Sequence, residues 1–213
     1  MGYSGGVAAD PTYEKVCRNA DFNDYAEAIQ IDYDPTHLTY EALLEFYFNY
    51  DGAVQFPRTG VAPSRKSTAQ PVARRLAKAK RQYAPVIFTH DATQRAIAES
   101  ALAQVGECAT VVEDLYQGSG KSFWTGEPYH QKWKLQKRTE LMTALALPDE
   151  EALIDGRAAT ALNAFAGGAR DAAATRQRLR LLVEQGYLGA GSCDAVTKLL
   201  EGKPVSAPGA WRR

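Results

Sequence analysis

The sequence predicts an α/β protein: an α+β two-layer sandwich followed by a C-terminal helical extension. Two observations carry this. Apolar runs with strand and helix periods alternate as strand–helix, then strand–helix–strand, then helix, before Pro148. Beyond Pro148 the composition turns Ala-rich and reads as helix throughout.

The first element is a turn, MGYSGG, in which Gly2, Gly5 and Gly6 suit positive φ or close backbone approach. Residues 1–22 as a whole read as loop, rich in Gly, Asp, Asn and Pro. Such a turn normally joins two elements, which leads us to expect further chain upstream of Met1. YAEAIQIDYD reads as a strand ending at Pro35, with Ala26, Ile29 and Ile31 as its apolar positions. In THLTYEALLEFYFNYDG, Thr39 is the N-cap, Leu43, Leu44, Tyr47 and Phe48 have helical spacing, and the helix stops near Gly52.

Gly52 to His90 contains no acidic residue, while Arg58, Arg65, Lys66, Arg74, Arg75 and Lys78 are among its charges. With Pro57, Pro63 and Pro71 punctuating it, this stretch reads as a solvated loop with one short helix over 72–81, and charge alone points to no particular partner. APVIFTH (84–90) is a buried strand, and DATQRAIAESALAQVG a helix with Asp91 as N-cap and Gly106 as stop. ATVVEDL (109–115) is a strand, YQGSGKSFWTGEP a loop, and YHQKWKLQKRTELMTALAL one helix. Helices near 149–166, 170–185 and 192–201 follow, broken at Gly167–Gly168 and Gly186, with Leu179, Leu182 and Val183 on one face. The domain division expected is therefore 1–147, carrying a basic insertion over about 53–82, and a helical extension with a frayed tail, 148–213.

Composition is that of a globular chain: 213 residues, 45% hydrophobic, 23% charged. Lys+Arg and Asp+Glu are both 25, so net charge argues for neither nucleic acid nor membrane as partner. No apolar stretch is long enough to span a bilayer. Cys17, Cys108 and Cys193 are odd in number and far apart, which argues against a disulfide scaffold and a zinc site and makes a reducing compartment, the cytoplasm, the expected location. A targeting segment upstream of Met1 would redirect the protein to an organelle.

Several stretches, in order, together resemble the peptide methionine sulfoxide reductase A family, which acts on the S-epimer of the sulfoxide. GYSGG with PTYEKVC is similar to the family's Gly-Tyr-x-Gly-Gly turn and Pro-Thr-Tyr-Glu-x-Val-Cys stretch. YAEAIQIDYDP resembles its Ala-Glu strand, LTYEALLEFYFNYDG the next helix, and QYAPVIFTHDATQRAIAE its Gln-Tyr-Arg-Ser strand and helix. FWTGEPYHQKW resembles its Phe-x-x-Ala-Glu-x-Tyr-His-Gln signature, and LALPDEEALIDGRAATALNAFAGG the helical extension of one eukaryotic branch. The match covers most of residues 2–166 and implies a ferredoxin-like sandwich.

Reducing a sulfoxide needs a soft nucleophile at sulfur and a proton for the departing oxygen. A thiolate supplies the first and a partly desolvated carboxylic acid the second, while phenol hydroxyls hold the oxygen. The resemblance implies that Glu27 is the proton donor and that Tyr3 and Tyr83 bind the oxygen. It implies no bound cofactor and no metal, thioredoxin or a dithiol as reductant, methionine-sulfoxide-containing proteins as partners, and a monomer. His130, in Tyr-His-Gln, reads as a structural histidine.

The departures are specific. The family's nucleophile lies in Gly-Cys-Phe-Trp, ahead of the Gly-Tyr-x-Gly-Gly turn, and that string does not occur in this sequence. The chain of 213 residues is therefore expected to be inactive unless the N-terminus is incomplete, and the alternative expectation is a non-catalytic binding or structural subunit. Phe123–Trp124 lies in a different motif from the lost aromatic pair. Lys78 stands where the family has an Asp, and Tyr25 replaces a histidine. Cys17 matches a non-nucleophilic family position, Cys108 begins a buried strand where thiols are inert, and Cys193 reads as part of a turn and helix capped by Ser192 rather than as a resolving thiol.

Overall fold

Three short strands in the first part of the chain, GYS, AEA and WT, pair with small residues on either side of a central Tyr3. The computed structural model describes residues 1–49, 81–105, 108, 110–115 and 120–202. The expected helix over 72–81, except for Arg81, together with Lys78 and the stops at Gly52 and Gly106, lies outside them. The described residues fall in two units, Met1–Gly126 and Glu127–Arg213.

In the first unit, β1 (Gly2–Ser4) is the centre of an antiparallel sheet of order β2-β1-β5, with β2 spanning Ala26–Ala28 and β5 Trp124–Thr125. The opening glycines therefore do not form a mere turn. A Cβ on Gly2 would land on the Trp124 carbonyl, so the close β1–β5 pairing requires glycine there. Gly5 ends β1 with φ 99°, and a Cβ there would also crowd Arg81 and Phe88. The remainder of residues 1–22, expected as loop, holds helix α1 (Tyr13–Arg18), whose N-cap Thr12 accepts from the Lys15 amide, and a 3₁₀ turn over Ala20–Phe22. A six-residue helix leaves too short a periodic signal to separate from its Asn- and Gly-rich surroundings. The expected ten-residue strand contracts to Ala26–Ala28; Ile29 and Ile31 are exposed in chain without regular structure that pairs with no strand among the described residues.

A second, two-stranded parallel sheet joins β3 (Val86–Thr89) to β4 (Val111–Asp114), Val86 facing Val111. Parallel neighbours need a crossover, and α3 (Ala92–Val105), capped by Asp91, supplies it. Helix α2 (Tyr40–Asn49), capped by Thr39, packs on α3, and Leu44, Phe48, Ile87 and Ala98 form their common core. Burying these apolar side chains contributes on the order of 2 kcal/mol each for the larger ones.

The second unit is helical. The single helix expected from Tyr129 onward is broken into a 3₁₀ turn at Pro128–His130, α4 (Trp133–Gln136) and α5 (Thr139–Leu145). Lys132 at φ 46° and Arg138 at ψ 76° leave helical backbone, and Asn163 Oδ1 caps the freed Leu135 amide at 3.0 Å. Then come α6 (Glu150–Ile154), α7 (Arg157–Ala166), α8 (Ala172–Glu184) and α9 (Ala190–Gly202). Asp149 and Asp171 cap α6 and α8. Ser192, expected as a cap, lies inside α9. Leu162, Leu179, Leu182 and Val196 are fully enclosed at the centre of this unit. The whole is a mixed α/β fold with a C-terminal helical part. Among the described residues no helix is long and apolar enough to cross a membrane.

Candidate functional site

Register across the first sheet aligns the residues of interest. Tyr3 is directly opposite Glu27 on one side and Trp124 on the other, so Glu27, Tyr3 and Trp124 form one row on one sheet face. Helix α1 covers this face, because Val16 packs with Tyr3, Phe22 and Tyr25. Tyr3 and Tyr25 are fully buried. The Tyr25 hydroxyl donates to the Ala8 carbonyl at 2.5 Å. Its phenol is raised from the ordinary tyrosine range by burial first and by the Asp24 charge next, with Trp124 pulling the other way. Tyr25, which stands where the resemblance has a histidine, is thus a packing residue here.

The edge of β2 is met by the 3₁₀ turn Arg81–Tyr83. Arg81 fixes that turn: its Nε donates to the Asp24 carbonyl at 3.3 Å and its Nη2 to Glu113 Oε1 on β4 at 2.6 Å. Lys121 reaches the other oxygen of Glu113 at 3.0 Å. Held this way, Gln82 is 3% exposed and points at β2. Its Nε2 donates to Glu27 Oε1 at 3.2 Å and to Cys17 Sγ at 3.3 Å. One buried amide therefore ties the half-buried Glu27 to the half-buried Cys17.

Tyr13 and Cys17 are one helical turn apart on α1 and share a face. Tyr13 bonds to the Cys17 sulfur, and its phenol is raised by that bond first, with the Cys17, Tyr83 and Glu27 charges adding to it. Tyr83, 61% exposed, completes the neighbourhood from the solvent side. The structure thus brings Glu27, Tyr83, Cys17, Tyr13 and Gln82 into one cluster, with Tyr3 behind it on β1. Gln82 and Tyr13 were not singled out in the sequence. The i,i+4 spacing of Tyr13 and Cys17 was the available signal for one, and the position of Gln82 beside Tyr83 for the other.

The other thiols lie elsewhere. Cys108 packs against the Leu44–Ile87 core, and Cys193, 6% exposed, is part of the helical core of the second unit. His130 belongs to that second unit, its ring 4.1 Å from the Tyr129 ring. Among the described residues no group of three or more His, Cys, Asp or Glu could hold a metal ion. Chemically, the cluster offers a carboxyl group, exposed and buried phenols, a thiol and a primary amide: groups suited to binding and protonating an oxygen acceptor.

Comparison with known proteins shows the family. A family model described as peptide methionine sulfoxide reductase matches residues 1–160. The chain is 34% identical over 137 residues to a peptide methionine sulfoxide reductase MsrA of Haloquadratum walsbyi, covering 62% of this chain and 66% of that protein. It is 31% identical over 170 residues to a peptide methionine sulfoxide reductase of Drosophila melanogaster, 79% of this chain and 58% of that one. A Ligilactobacillus salivarius MsrA is 34% identical over 141 residues, 61% and 66%. The chain thus spans 58–66% of the length of these curated relatives. The matched segment takes in both sheets and every residue of the cluster, and on that ground the chain belongs to the peptide methionine sulfoxide reductase family.

Proposed function

We propose that Glu27, with Tyr3 and Tyr83, binds the sulfur–oxygen group of a methionine-S-sulfoxide and that Glu27 protonates its oxygen during reduction to methionine. The observation that supports this most is the alignment of Glu27 with Tyr3 in register on β1, with Tyr83 on the adjoining turn. A sulfoxide oxygen carries substantial negative charge and accepts hydrogen bonds. Tyr83 donates from the open side, and Tyr3 donates from within the fold. Glu27, in its acid form, gives up its proton as the sulfur–oxygen bond breaks.

The electrons come from a thiol that takes the oxygen as a sulfenic acid, and a dithiol such as thioredoxin returns that thiol to its reduced form. Oxidised methionines of proteins, or the free amino acid, are the substrates, and the reducing cytoplasm is the setting. We assign the attack to none of the three thiols, because the Gly-Cys-Phe-Trp string of the family does not occur in the 213 residues. The chain of 213 residues with dithiothreitol therefore turns over no methionine-S-sulfoxide. Lys78, in place of the family's Asp, favours a second reading, a subunit that binds the sulfoxide and leaves the chemistry to another protein.

Titration of the isotopically labelled chain with N-acetyl-methionine-S-sulfoxide tests the proposal. Saturable shifts at Tyr3, Glu27 and Gln82 are expected with the S-epimer and not with the sulfide. Glu27→Ala and Tyr83→Phe each weaken binding by roughly tenfold, the scale of one charge-assisted hydrogen bond. Equal shifts with the sulfide, or none with the S-sulfoxide, overturn it. Turnover with dithiothreitol would overturn the assignment of the attack away from this chain's thiols.

A further inference from the structure

The chemistry proposed above uses Glu27, Tyr3 and Tyr83 and leaves Cys17 and Gln82 without a part. Their geometry is nevertheless specific. The amide nitrogen of Gln82 serves the Cys17 sulfur at 3.3 Å and the Glu27 carboxylate at 3.2 Å. Its carbonyl Oε1 is buried and has no hydrogen-bond partner among the described residues. A buried acceptor left in that condition is expensive and calls for an explanation. Gln82 Oε1 needs a donor, and the side chain that its own nitrogen already grips is a thiol.

Adding one oxygen to Cys17 replaces its weak S–H donor with a stronger, longer-reaching one. A sulfenic acid carries an O–H beside the sulfur, next to the Gln82 amide. The Tyr13 hydroxyl bonds to the same sulfur. Cys17 and Cys108 are both half-buried and Cys193 is enclosed in the helical core, but it is the Cys17 sulfur that meets Gln82 and Tyr13.

We infer that Cys17 is a peroxide-reactive thiol whose sulfenic acid docks on Gln82 and closes the Glu27 site to sulfoxides. The closing of the site rests on the function proposed above; the oxidation of Cys17 does not. In the step, the thiolate sulfur attacks one oxygen of hydrogen peroxide. The S–O bond forms as the O–O bond breaks, and the departing hydroxide takes a proton from the Glu27 carboxylic acid or from water. Sulfur is oxidised by two electrons, and one peroxide oxygen leaves as water. The new hydroxyl donates to Gln82 Oε1. A cysteine S–O group then stands beside Glu27 where a sulfoxide S–O group would bind, so the oxidised protein carries an internal imitation of its own ligand. Two equivalents of thiol return Cys17 to the reduced state and release the oxygen as water.

The full chain, reduced, is exposed briefly to hydrogen peroxide, freed of it by desalting, and divided. One portion is trapped with dimedone and mapped by mass spectrometry; the other is titrated with N-acetyl-methionine-S-sulfoxide. Dimedone is expected on Cys17 at least tenfold above Cys108 and Cys193, and sulfoxide binding is expected to fall at least tenfold and return with dithiothreitol. Cys17→Ala keeps sulfoxide binding and loses its sensitivity to peroxide. Gln82→Leu, verified as folded by circular dichroism, loses the dimedone adduct on Cys17, a result that simple exposure of the thiol would not produce. Labelling of Cys17 no greater than of Cys108 overturns the inference, as does undiminished sulfoxide binding by chain labelled at Cys17. If the reduced chain binds no sulfoxide at all, the functional proposal and the closing of the site fall together, and the dimedone map decides separately whether Cys17 is the oxidised thiol.

Discussion

Gln82 and Glu27, 55 residues apart in the sequence, meet through an N–H that donates to the carboxylate at 3.2 Å. The bond crosses from a 3₁₀ turn to the edge of β2, and the same nitrogen holds Cys17 on α1. Three elements that share no strand pairing are thus joined at one amide. Replacing Gln82 by Leu keeps the volume and strips Glu27 and Cys17 of that donor. The change also removes the unpartnered Oε1, whose burial is costly, so the two effects offset and the net change is expected to stay within about 1 kcal/mol. In a double-mutant cycle with Glu27→Ala, the pair costs less than the two single changes together, because the second deletion removes the group the first one stranded. Urea midpoints of the four proteins measure it, and strict additivity would show that the two side chains do not cooperate.

Arg81 fixes the turn that carries Gln82 and Tyr83. Its guanidinium spans the Asp24 carbonyl before β2 and Glu113 on β4, with both side chains of the ion pair about a quarter exposed. Arg81→Met retains the aliphatic stem and removes both links, leaving Glu113 to Lys121. About 1.5–3 kcal/mol of stability is expected to go, the range for hydrogen bonds to charged groups. The sulfoxide affinity falls with it, since Tyr83 and Gln82 lose their anchor. The exposed pair Arg18–Glu14 offers the contrast: its side chains are both 78% exposed, and Arg18→Met leaves the urea midpoint nearly unchanged.

Gly5 turns the chain out of β1 at φ 99°, and a Cβ there would press on Arg81, the Asp24 carbonyl and Phe88. Gly120 also has positive φ, 68°, but nothing stands near the position of its Cβ. Gly5→Ala combines backbone strain with crowding at the turn below the cluster, and about 1–3 kcal/mol is expected from the strain alone. Gly120→Ala meets only the backbone term and costs less. The order of the two thermal midpoints checks the argument.

Helix starts were legible in the sequence wherever a short polar side chain preceded an apolar period. Thr39 and Asp91, named as caps from the sequence, accept the expected backbone N–H; Asp149 and Asp171 do the same without having been named, and Ser192, also named, lies inside α9. β1 and β5 escaped because strands of three and two residues have no alternation to detect; the glycines of MGYSGG are there for backbone approach, which a residue count mistakes for a turn. Glu27, Tyr3 and Tyr83 were placed by resemblance to a family. The amide that binds Glu27 to Cys17 was invisible for a physical reason: it depends on the depth at which Arg81 seats a turn, a long-range contact with no local periodicity.

Tyr40 opens α2, and its hydroxyl is buried with no hydrogen-bond partner among the described residues. Burial, with smaller contributions from Tyr33 and Asp91, pushes its phenol up to about 12 from 10.0. The sign of the consequence is fixed by linkage. Between pH 10.0 and about 12 the unfolded chain releases this proton while the folded chain keeps it, so the stability contributed by the neutral phenol is complete below pH 10.0 and is lost as pH rises through that window. Tyr40→Phe removes the unpartnered hydroxyl and the titration together. The variant is expected to be more stable than the parent at pH 7 by about 1 kcal/mol, the lower end of the cost of an unmade buried hydrogen bond. Above pH 10.0 its advantage widens, because the parent alone loses this phenol's contribution. Guanidinium midpoints of both proteins at pH 7 and pH 11 measure the two effects, and a difference that stays constant with pH would show that the Tyr40 phenol titrates alike in the folded and unfolded chains.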